Sequence, residues 1–177
     1  LGLLYARGQG VPTDVQRSAD WTARAAGQGF GPAQERLGLL YARGDGVPQD
    51  SRRAAEWLRK AAEQGIPTAQ NNLGLLYMRG EGVPEDHAEA ARWIRSAAGQ
   101  GLAEARARLG TMYASGRGVD EDPVAAWAWL TLAAEQGQTR AREALPGVEG
   151  RLTPEQLARA RQLAESLQRG ASTANED

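Results

Sequence analysis

Residues that could carry catalytic chemistry are few and scattered in this chain of 177 residues. His87 is the only histidine, so a catalytic triad or a zinc site built on histidine would have to use it alone. It follows Asp86 in a predicted turn, where a solvated surface position is expected. Cysteine is absent, which excludes disulfides, thiolate nucleophiles and thiolate metal sites. The acidic run Asp120, Glu121 and Asp122 is explained by a turn followed by a helix N-cap.

A glycine-rich loop recurs along the chain, but it does not match a nucleotide or calcium site. The copy at residues 44–50 reads GDGVPQD and lacks the alternating oxygen ligands and distal glutamate of a calcium loop. GxGVP differs from GxGxxG and follows a predicted helix, not a strand, so a dinucleotide site is not expected. The serine-hydrolase motifs G-x-S-x-G and S-x-x-K do not occur. We therefore predict no enzyme, no catalytic residue, no cofactor and no metal site.

The charge balance gives little attraction to nucleic acid or to acidic membranes. The formal net charge is −1, so no basic surface is expected to draw in polyanions. No apolar run approaches the roughly 18 residues of a membrane span. Basic residues are almost all arginine, with Lys60 the only lysine, a weak sign of a GC-rich bacterial genome. Neither a nucleic-acid partner nor a membrane span is predicted.

One stretch occurs four times in near copy. It begins LGLLYARGQGVPTD at Leu1, LGLLYARGDGVPQD at Leu37, LGLLYMRGEGVPED at Leu73 and LGTMYASGRGVDED at Leu109. The copies start 36 residues apart without insertion or deletion. A fixed period of this size is typical of stacked-repeat proteins. The predicted repeats are 1–36, 37–72, 73–108 and 109–144.

Each repeat predicts two helices joined by a tight turn. In the second repeat, helix A is predicted at about 33–43 from an apolar stripe at helical spacing, with Gly44 as its stop. Asp50 stands at the N-cap position of helix B, and Gly65 ends that helix. The tryptophans that recur at the repeat period, such as Trp57, are interpreted as core residues. Glycine also recurs inside helix A, where it is unfavourable, which predicts a close approach of two helices.

The C-terminal part departs from the period. A degenerate A-type helix is expected at about 139–150, kinked or ended early by Pro146. The sequence LTPEQL then contains a capping box, an N1 proline and a hydrophobic staple. Together these predict a capping helix within residues 151–170, ending at Gly170, and a disordered tail at 171–177. Trp127, which replaces an alanine of the other copies, is expected to pack on this capping helix.

The pattern A…LGxxYxxGxGVxxDxxxAxxWxxxAAxxG resembles the Sel-one-like repeat, a relative of the tetratricopeptide repeat. The resemblance covers residues 1 to about 144, with Ser18 and Asp120 as small departures. It implies an all-α fold, a right-handed α-solenoid of antiparallel helix pairs occupying residues 1–150. It also implies a scaffold or adaptor, not an enzyme, and suggests bacterial origin and an exported or periplasmic location. A cysteine-rich branch linked to β-lactams carries a cysteine pair in each repeat, which this chain lacks.

The outward face of helix A is predicted to be the working surface. Leu39 lies about 200° around the helix from Leu37, and by resemblance to tetratricopeptide arrays this face lines a concave groove. Read along the array, it presents a leucine row beside an arginine row, which suits an acidic–apolar peptide or a partner helix. The predicted groove residues are Leu3, Arg7, Glu35, Leu39, Arg43, Asn71, Leu75, Met78, Arg79, Thr111 and Ser115.

Other interpretations stay open at this stage. The arginines could instead pair within the array, with Glu35, Asp45 or Asp50. The chain could be an envelope adaptor that recognises cell-wall or carbohydrate components, or a hydrolase of the β-lactam type using a reactive serine. Because the chain opens in the middle of a repeat, we expect the natural protein to extend further, or the first repeat to stack on another chain through its open face.

Overall fold

The computed structural model describes residues 2–8, 10 and 12–173. Within them the chain folds into α-helices, and consecutive helices pair as the repeat predicts. Helix A of the second repeat begins at Gly31, two residues earlier than predicted, because Pro32 suits the first helical turn. The helices are α1 (Gly2–Arg7), α2 (Val15–Gly27), α3 (Gly31–Arg43), α4 (Ser51–Glu63), α5 (Pro67–Arg79), α6 (His87–Gly99), α7 (Ala103–Ser115), α8 (Pro123–Glu135), α9 (Thr139–Glu149) and α10 (Pro154–Thr173).

Local capping chemistry defines the ends of the helices as predicted. The Asp50 carboxylate accepts hydrogen bonds from the backbone N–H groups of Arg52 and Arg53, both at 3.0 Å, satisfying amides that lack a partner inside the helix. Asp14, Asp86 and Asp122 do the same for the other B-type helices. The A-type helix α3 ends at Gly44, whose φ of 78° is the left-handed conformation expected of a terminal glycine.

The chain forms two compact units, Leu1–Glu85 and Asp86–Asp177. In the first unit α2 packs against α1 and α3, and α4 packs against α3 and α5. Its largest fully buried side chains are Leu37, Leu58 and Leu73. In the second unit α7 packs against α6 and α8, and α8 also contacts α9 and α10. The buried core of each unit therefore lies between consecutive helices, as stacking requires.

Small residues bring paired helices together inside each repeat. A Cβ added at Gly38 would lie 2.7 Å from Cγ of Leu58, and one at Gly110 would lie 2.7 Å from Cγ of Leu130. Both distances are far below normal contact. The predicted close approach at the helix-A glycines is confirmed at these two positions.

A second close approach, which the sequence did not suggest, involves the loop between helices A and B. Gly46 has a φ of 72°, and a Cβ there would lie 2.5 Å from the carbonyl oxygen of Val15 in the preceding repeat. The same loop position in the third repeat, Gly82, lies against Ser51 at the start of α4. Each loop thus seats on the beginning of the previous B-type helix.

A buried polar bond recurs at the turn from helix B to the next helix A. Nε2 of Gln34 donates to the carbonyl oxygen of Ala26 at 3.3 Å, and Nε2 of Gln70 donates to that of Ala62 at 3.2 Å. Arg106 takes the same place in the next copy and donates through Nε to Ala98 at 3.2 Å. Each bond gives a further donor to a carbonyl at the end of a helix, which also accepts from a backbone N–H at 3.0 Å.

A further amide links the first two of these turns within the first unit. Nε2 of Gln64 lies 3.1 Å from the carbonyl oxygen of Gly29 and 2.7 Å from Oε1 of Gln34.

Arg106, which takes the place of the buried glutamine, is a charged group. Burial lowers the pKa of Arg106, and the nearby charge of Glu135 opposes that shift. A guanidinium can replace the amide at this position because both present an N–H to the same acceptor.

The C-terminal helices differ from the prediction in where α10 ends. The last A-type helix spans Thr139–Glu149, close to the predicted 139–150, and Pro146 does not end it early. Helix α10 begins at Pro154 with the predicted capping box, in which the Thr153 N–H donates to Oε1 of Gln156 at 2.9 Å. It continues through Gly170 to Thr173, so the predicted stop at Gly170 is wrong. Glycine disfavours a helix interior by only about 1 kcal/mol and does not by itself end one. The rest of the predicted tail, 174–177, lies outside the described residues.

Trp127 makes contact with the last A-type helix. It lies against a cluster that includes Ala141 and Val148 of α9. Its indole Nε1 donates to Oε2 of Glu149 at 3.1 Å. The expectation that it fills space beside the capping helix α10, which also packs on α8, stays a prediction.

Candidate partner-binding surface

In the first unit, the leucine row predicted from the repeat lies on α1, α3 and α5. Leu3 is 53% exposed, while Leu39 and Leu75 are half-buried. Arg43 and Arg79 are exposed in the last turns of α3 and α5. Arg7 ends α1, and its side chain lies outside the described part of the structure. The two rows therefore present accessible apolar and cationic groups side by side.

Carboxylates of the same chain do little to neutralise this arginine row. Nη1 of Arg79 lies 3.7 Å from Oε1 of Glu81, with both side chains exposed, a geometry of small energetic value. Asp50, a proposed internal partner, pairs instead with Arg53 at 3.5 Å. Among the residues that the structure describes, Arg43 makes no ion pair. The interpretation that the row serves only to pair within the array loses most of its support.

The other predicted groove residues of the first unit differ in how exposed their side chains are. Glu35 and Met78 are half-buried and remain accessible from outside. Asn71, the equivalent of Glu35 one repeat later, is only 3% exposed, so its side chain is not part of an open surface. We therefore leave Asn71 out of the binding surface.

In the second unit, Thr111 and Ser115 are exposed on α7. Both hydroxyls turn back onto their own helix: Oγ1 of Thr111 donates to the carbonyl oxygen of Ala107, and Oγ of Ser115 to that of Thr111, each at 2.9 Å. These bonds leave two small side chains with little unsatisfied hydrogen-bonding capacity. The apolar and cationic character of the row is therefore concentrated in the first unit.

A pocket of about 620 Å³ lies between α1, α2 and α3. Three predicted groove residues, Leu3, Glu35 and Leu39, line it. Sequence reasoning missed two other important lining residues, Phe30 and Arg36. Phe30 is the only phenylalanine in the sequence and is 61% exposed. The available signal was its equivalence to Ile66 and Leu102 at the start of the later A-type helices.

Arg36 supplies a cation to this mostly apolar pocket. Its Nη2 lies 3.4 Å from Oγ of Ser18, at the long limit of a hydrogen bond. Its Nε is buried and has no hydrogen-bond partner among the described residues. A buried N–H without an acceptor is unfavourable, so a bound group that brings an acceptor would satisfy it.

The described residues contain no cluster of three or more histidine, cysteine, aspartate or glutamate side chains placed to hold a metal ion. His87 is half-buried, and its Nε2 accepts a hydrogen bond from Nε of Arg117 at 3.1 Å. This contact links His87, the first residue of α6, to the loop that follows α7. Within the described part of the chain, no helix combines the length and apolar character needed to cross a membrane.

Consecutive antiparallel helix pairs with the same capping, the same glycine contacts and the same polar turn define an all-α helical-repeat protein of the solenoid class. The sequence profile of the Sel1 repeat matches residues 1–30, 31–66, 67–102 and 103–138. The chain belongs to the Sel1, or Sel-one-like, repeat family. Proteins of this family are generally non-enzymatic scaffolds that bind protein partners.

Solved structures of bacterial proteins share this fold. A Sel1 repeat protein from Oxalobacter formigenes is 34% identical, with a TM-score of 0.81, over 96% of this chain and 70% of that protein. The protective antigen c5321 of uropathogenic Escherichia coli is 28% identical, with a TM-score of 0.65, over 99% and 47%. Cysteine-rich protein B of Helicobacter pylori is 20% identical, with a TM-score of 0.60, over 75% and 96%, a similarity of fold alone. No curated protein sequence matches the chain significantly.

Proposed function

We propose that this chain is a non-enzymatic interaction scaffold that binds a peptide segment or a partner helix on the outward face of α1, α3 and α5. The observation that carries the proposal is the leucine row beside exposed arginines that internal carboxylates barely neutralise. Leu3 is 53% exposed, and Arg43 makes no ion pair among the described residues. Apolar side chains left in water beside cations are typical of a surface that a partner covers.

The chemistry of the two rows indicates the type of partner. Guanidinium groups present forked N–H donors that match carboxylates. Leucine side chains provide apolar contact for a partner's own apolar residues. An acidic–apolar segment would satisfy both rows at once, whereas a basic segment would be repelled by Arg43 and Arg79.

The test is a selection of 12-residue peptides from a random library on the immobilised full chain, followed by calorimetric titration of the best binder. The variant Arg43→Glu/Arg79→Glu should weaken that binding by roughly 10- to 100-fold, because hydrogen bonds to charged groups each contribute about 1.5–3 kcal/mol and only part is lost per site. The melting temperature should stay the same, since both side chains are exposed.

The matched control is Arg52→Glu/Arg161→Glu, which changes the net charge equally at two exposed arginines on α4 and α10. This variant should retain most of the affinity. Equal affinities of the wild type and the Arg43→Glu/Arg79→Glu variant would disprove the role of the arginine row.

A further inference from the structure

The second and third repeats present equivalent side chains in the same order on their outward faces. On α3 these are Leu39, Ala42 and Arg43, and on α5 they are Leu75, Met78 and Arg79. The apolar members of both sets are half-buried, and both arginines are exposed. Each of these two repeats therefore contributes one apolar and one cationic contact point.

The spacing between these contact points is set by the packing of the helices. Both α3 and α5 pack on α4 within the first unit. In the second unit the consecutive A-type helices α7 and α9 also contact each other directly. Helices that pack together are separated by about 8–10 Å. We therefore expect the contact points of the outward face to recur about every 10 Å from one repeat to the next.

This face offers little to the backbone of an extended peptide. Ala42 and Met78, beside the two rows, carry no strong hydrogen-bonding group. The side-chain amide predicted for this face, that of Asn71, is only 3% exposed. An extended segment would cover backbone N–H and C=O groups that lack partners, which is unfavourable, whereas a helix satisfies its own backbone internally. The face therefore favours a helical occupant.

We infer that the outward face of α3 and α5 binds an α-helix of a partner protein, which lies across both helices and presents one heptad to each repeat. Seven residues of a helix rise about 10.5 Å and make about two full turns. Apolar residues at i and i+7 of the partner therefore meet Leu39 and Leu75, one at each repeat.

The charge of the partner helix follows from the same geometry. Residues at i+3 and i+4 lie on either side of the apolar stripe of a helix. Acidic residues at these positions reach the exposed guanidinium groups of Arg43 and Arg79, whichever way the helix runs. This inference rests on the proposed function, because it uses the same surface, and it adds the helical form and the seven-residue period.

The probe is a pair of fluorescein-labelled, alanine-rich peptides of 18 residues with the same composition. Each contains two leucines, each leucine is followed by glutamates at the third and fourth positions, and lactam bridges on the opposite face hold both peptides helical. The leucines are seven residues apart in the first peptide. In the second, one alanine is moved from the end to the space between the heptads, which turns the second heptad by about 100°.

Fluorescence anisotropy with the full chain compares the two peptides, after circular dichroism has shown equal helicity. The seven-residue spacing should bind at least tenfold more tightly, because the eight-residue spacing can place only one heptad on the surface.

A double-mutant cycle tests the individual contacts. Leu39→Ala and Leu75→Ala should each weaken binding of the first peptide at least threefold. Each substitution should lose its effect when one particular leucine of the peptide is replaced by alanine, and the two substitutions should couple to different peptide leucines. The control Leu163→Ala changes a half-buried leucine of α10 and should bind as the wild type does. Urea denaturation checks that each variant is folded under the assay conditions.

The inference fails if the first peptide does not bind, if the second binds as tightly, or if both protein leucines couple equally to both peptide leucines. The library-selected peptides test the proposed function separately. If Arg43→Glu/Arg79→Glu weakens those binders while the leucine spacing of the designed pair has no effect, the heptad is wrong and the proposed function survives. If that variant leaves the library binders unaffected, both are wrong.

Discussion

At the scale of single residues, the absence of a side chain sets the spacing between neighbouring parts of the fold. Gly38 lets α4 approach α3, and Gly46 lets its loop rest on the carbonyl of Val15. A residue with a side chain would meet different obstacles at the two positions. Gly38 has an ordinary helical backbone, whereas Gly46 combines a positive φ of 72° with a close backbone neighbour.

Replacing Gly46 with alanine should therefore be more destabilising than the same change at Gly65. Gly65 also has a positive φ, 84°, but nothing lies within 4 Å of the added Cβ. Gly65→Ala should cost about 1–2 kcal/mol for the left-handed backbone alone, and Gly46→Ala should cost more, because the backbone of Val15 has to move. Urea denaturation of both variants measures the difference, and equal losses would contradict the proposed close contact.

The role of a residue was predictable where it depends on neighbours in the same turn, and less so where it depends on whether another helix packs over the side chain. Asp50 as an N-cap and Gly44 as a helix stop follow from hydrogen bonds within one turn. The sequence did not identify Phe30 and Arg36 as pocket residues, because the pocket forms only where α1, α2 and α3 pack together. Asn71 was assigned to the groove by its register, yet it is buried, whereas its equivalent Glu35 borders an open pocket. The position of a residue around a helix predicts which way its side chain points, but not whether another element covers that side chain.

At the scale of secondary-structure elements, the turn from helix B to helix A depends on one buried donor. Gln70 is 6% exposed and binds the carbonyl oxygen of Ala62. Gln70→Leu removes that donor and leaves the carbonyl of Ala62 with only backbone donors such as the N–H of Gly65 at 3.0 Å, so the loss should be about 0.5–1.5 kcal/mol, the net value of one hydrogen bond. Gln70→Arg should cost much less, because Arg106 already makes the equivalent bond to Ala98. Thermal denaturation compares the two variants; if both lose the same stability, the bond is not what holds the turn.

Helix boundaries were predicted well at N-termini and less well at the C-terminal end of the chain. Capping boxes and N1 prolines have strict geometry, and α10 begins at the predicted Pro154. Its end was misplaced because a glycine only disfavours helix, and Gly170 lies in the exposed last part of α10, where nothing stands within 4 Å of an added Cβ. The buried glutamine–arginine series at the turns was visible as a repeat in the sequence, but glutamine and arginine are normally surface residues, so burial was not inferred.

At the scale of the whole molecule, the repeat period made the fold class predictable. A spacing of 36 residues without insertions implies equivalent units, and contacts are concentrated between consecutive helices. Deleting residues 37–72 should then leave a folded protein with unchanged helicity per residue. Its denaturant m-value should fall by about a fifth, since m follows the surface exposed on unfolding.

The control for this deletion removes residues 37–71 instead. One extra residue rotates the rest of the helix by about 100°, which turns its apolar stripe away from α2, the neighbour of α3 that remains. This variant should lose cooperative unfolding, as circular dichroism in urea would show. If both deletions behave alike, the repeats are not interchangeable units.

The glutamine and arginine donors at the B-to-A turns each reach back the same eight residues, from Gln34 to Ala26 and from Arg106 to Ala98. Each such bond fixes the number of residues in its turn, because one extra residue would move the donor away from its carbonyl. The contact of Gly46 with Val15 fixes the length of the loop at the other end of the repeat in the same way. Variation in length within such a gene is therefore expected to come from duplication or loss of entire 36-residue segments through recombination, and rarely from small insertions.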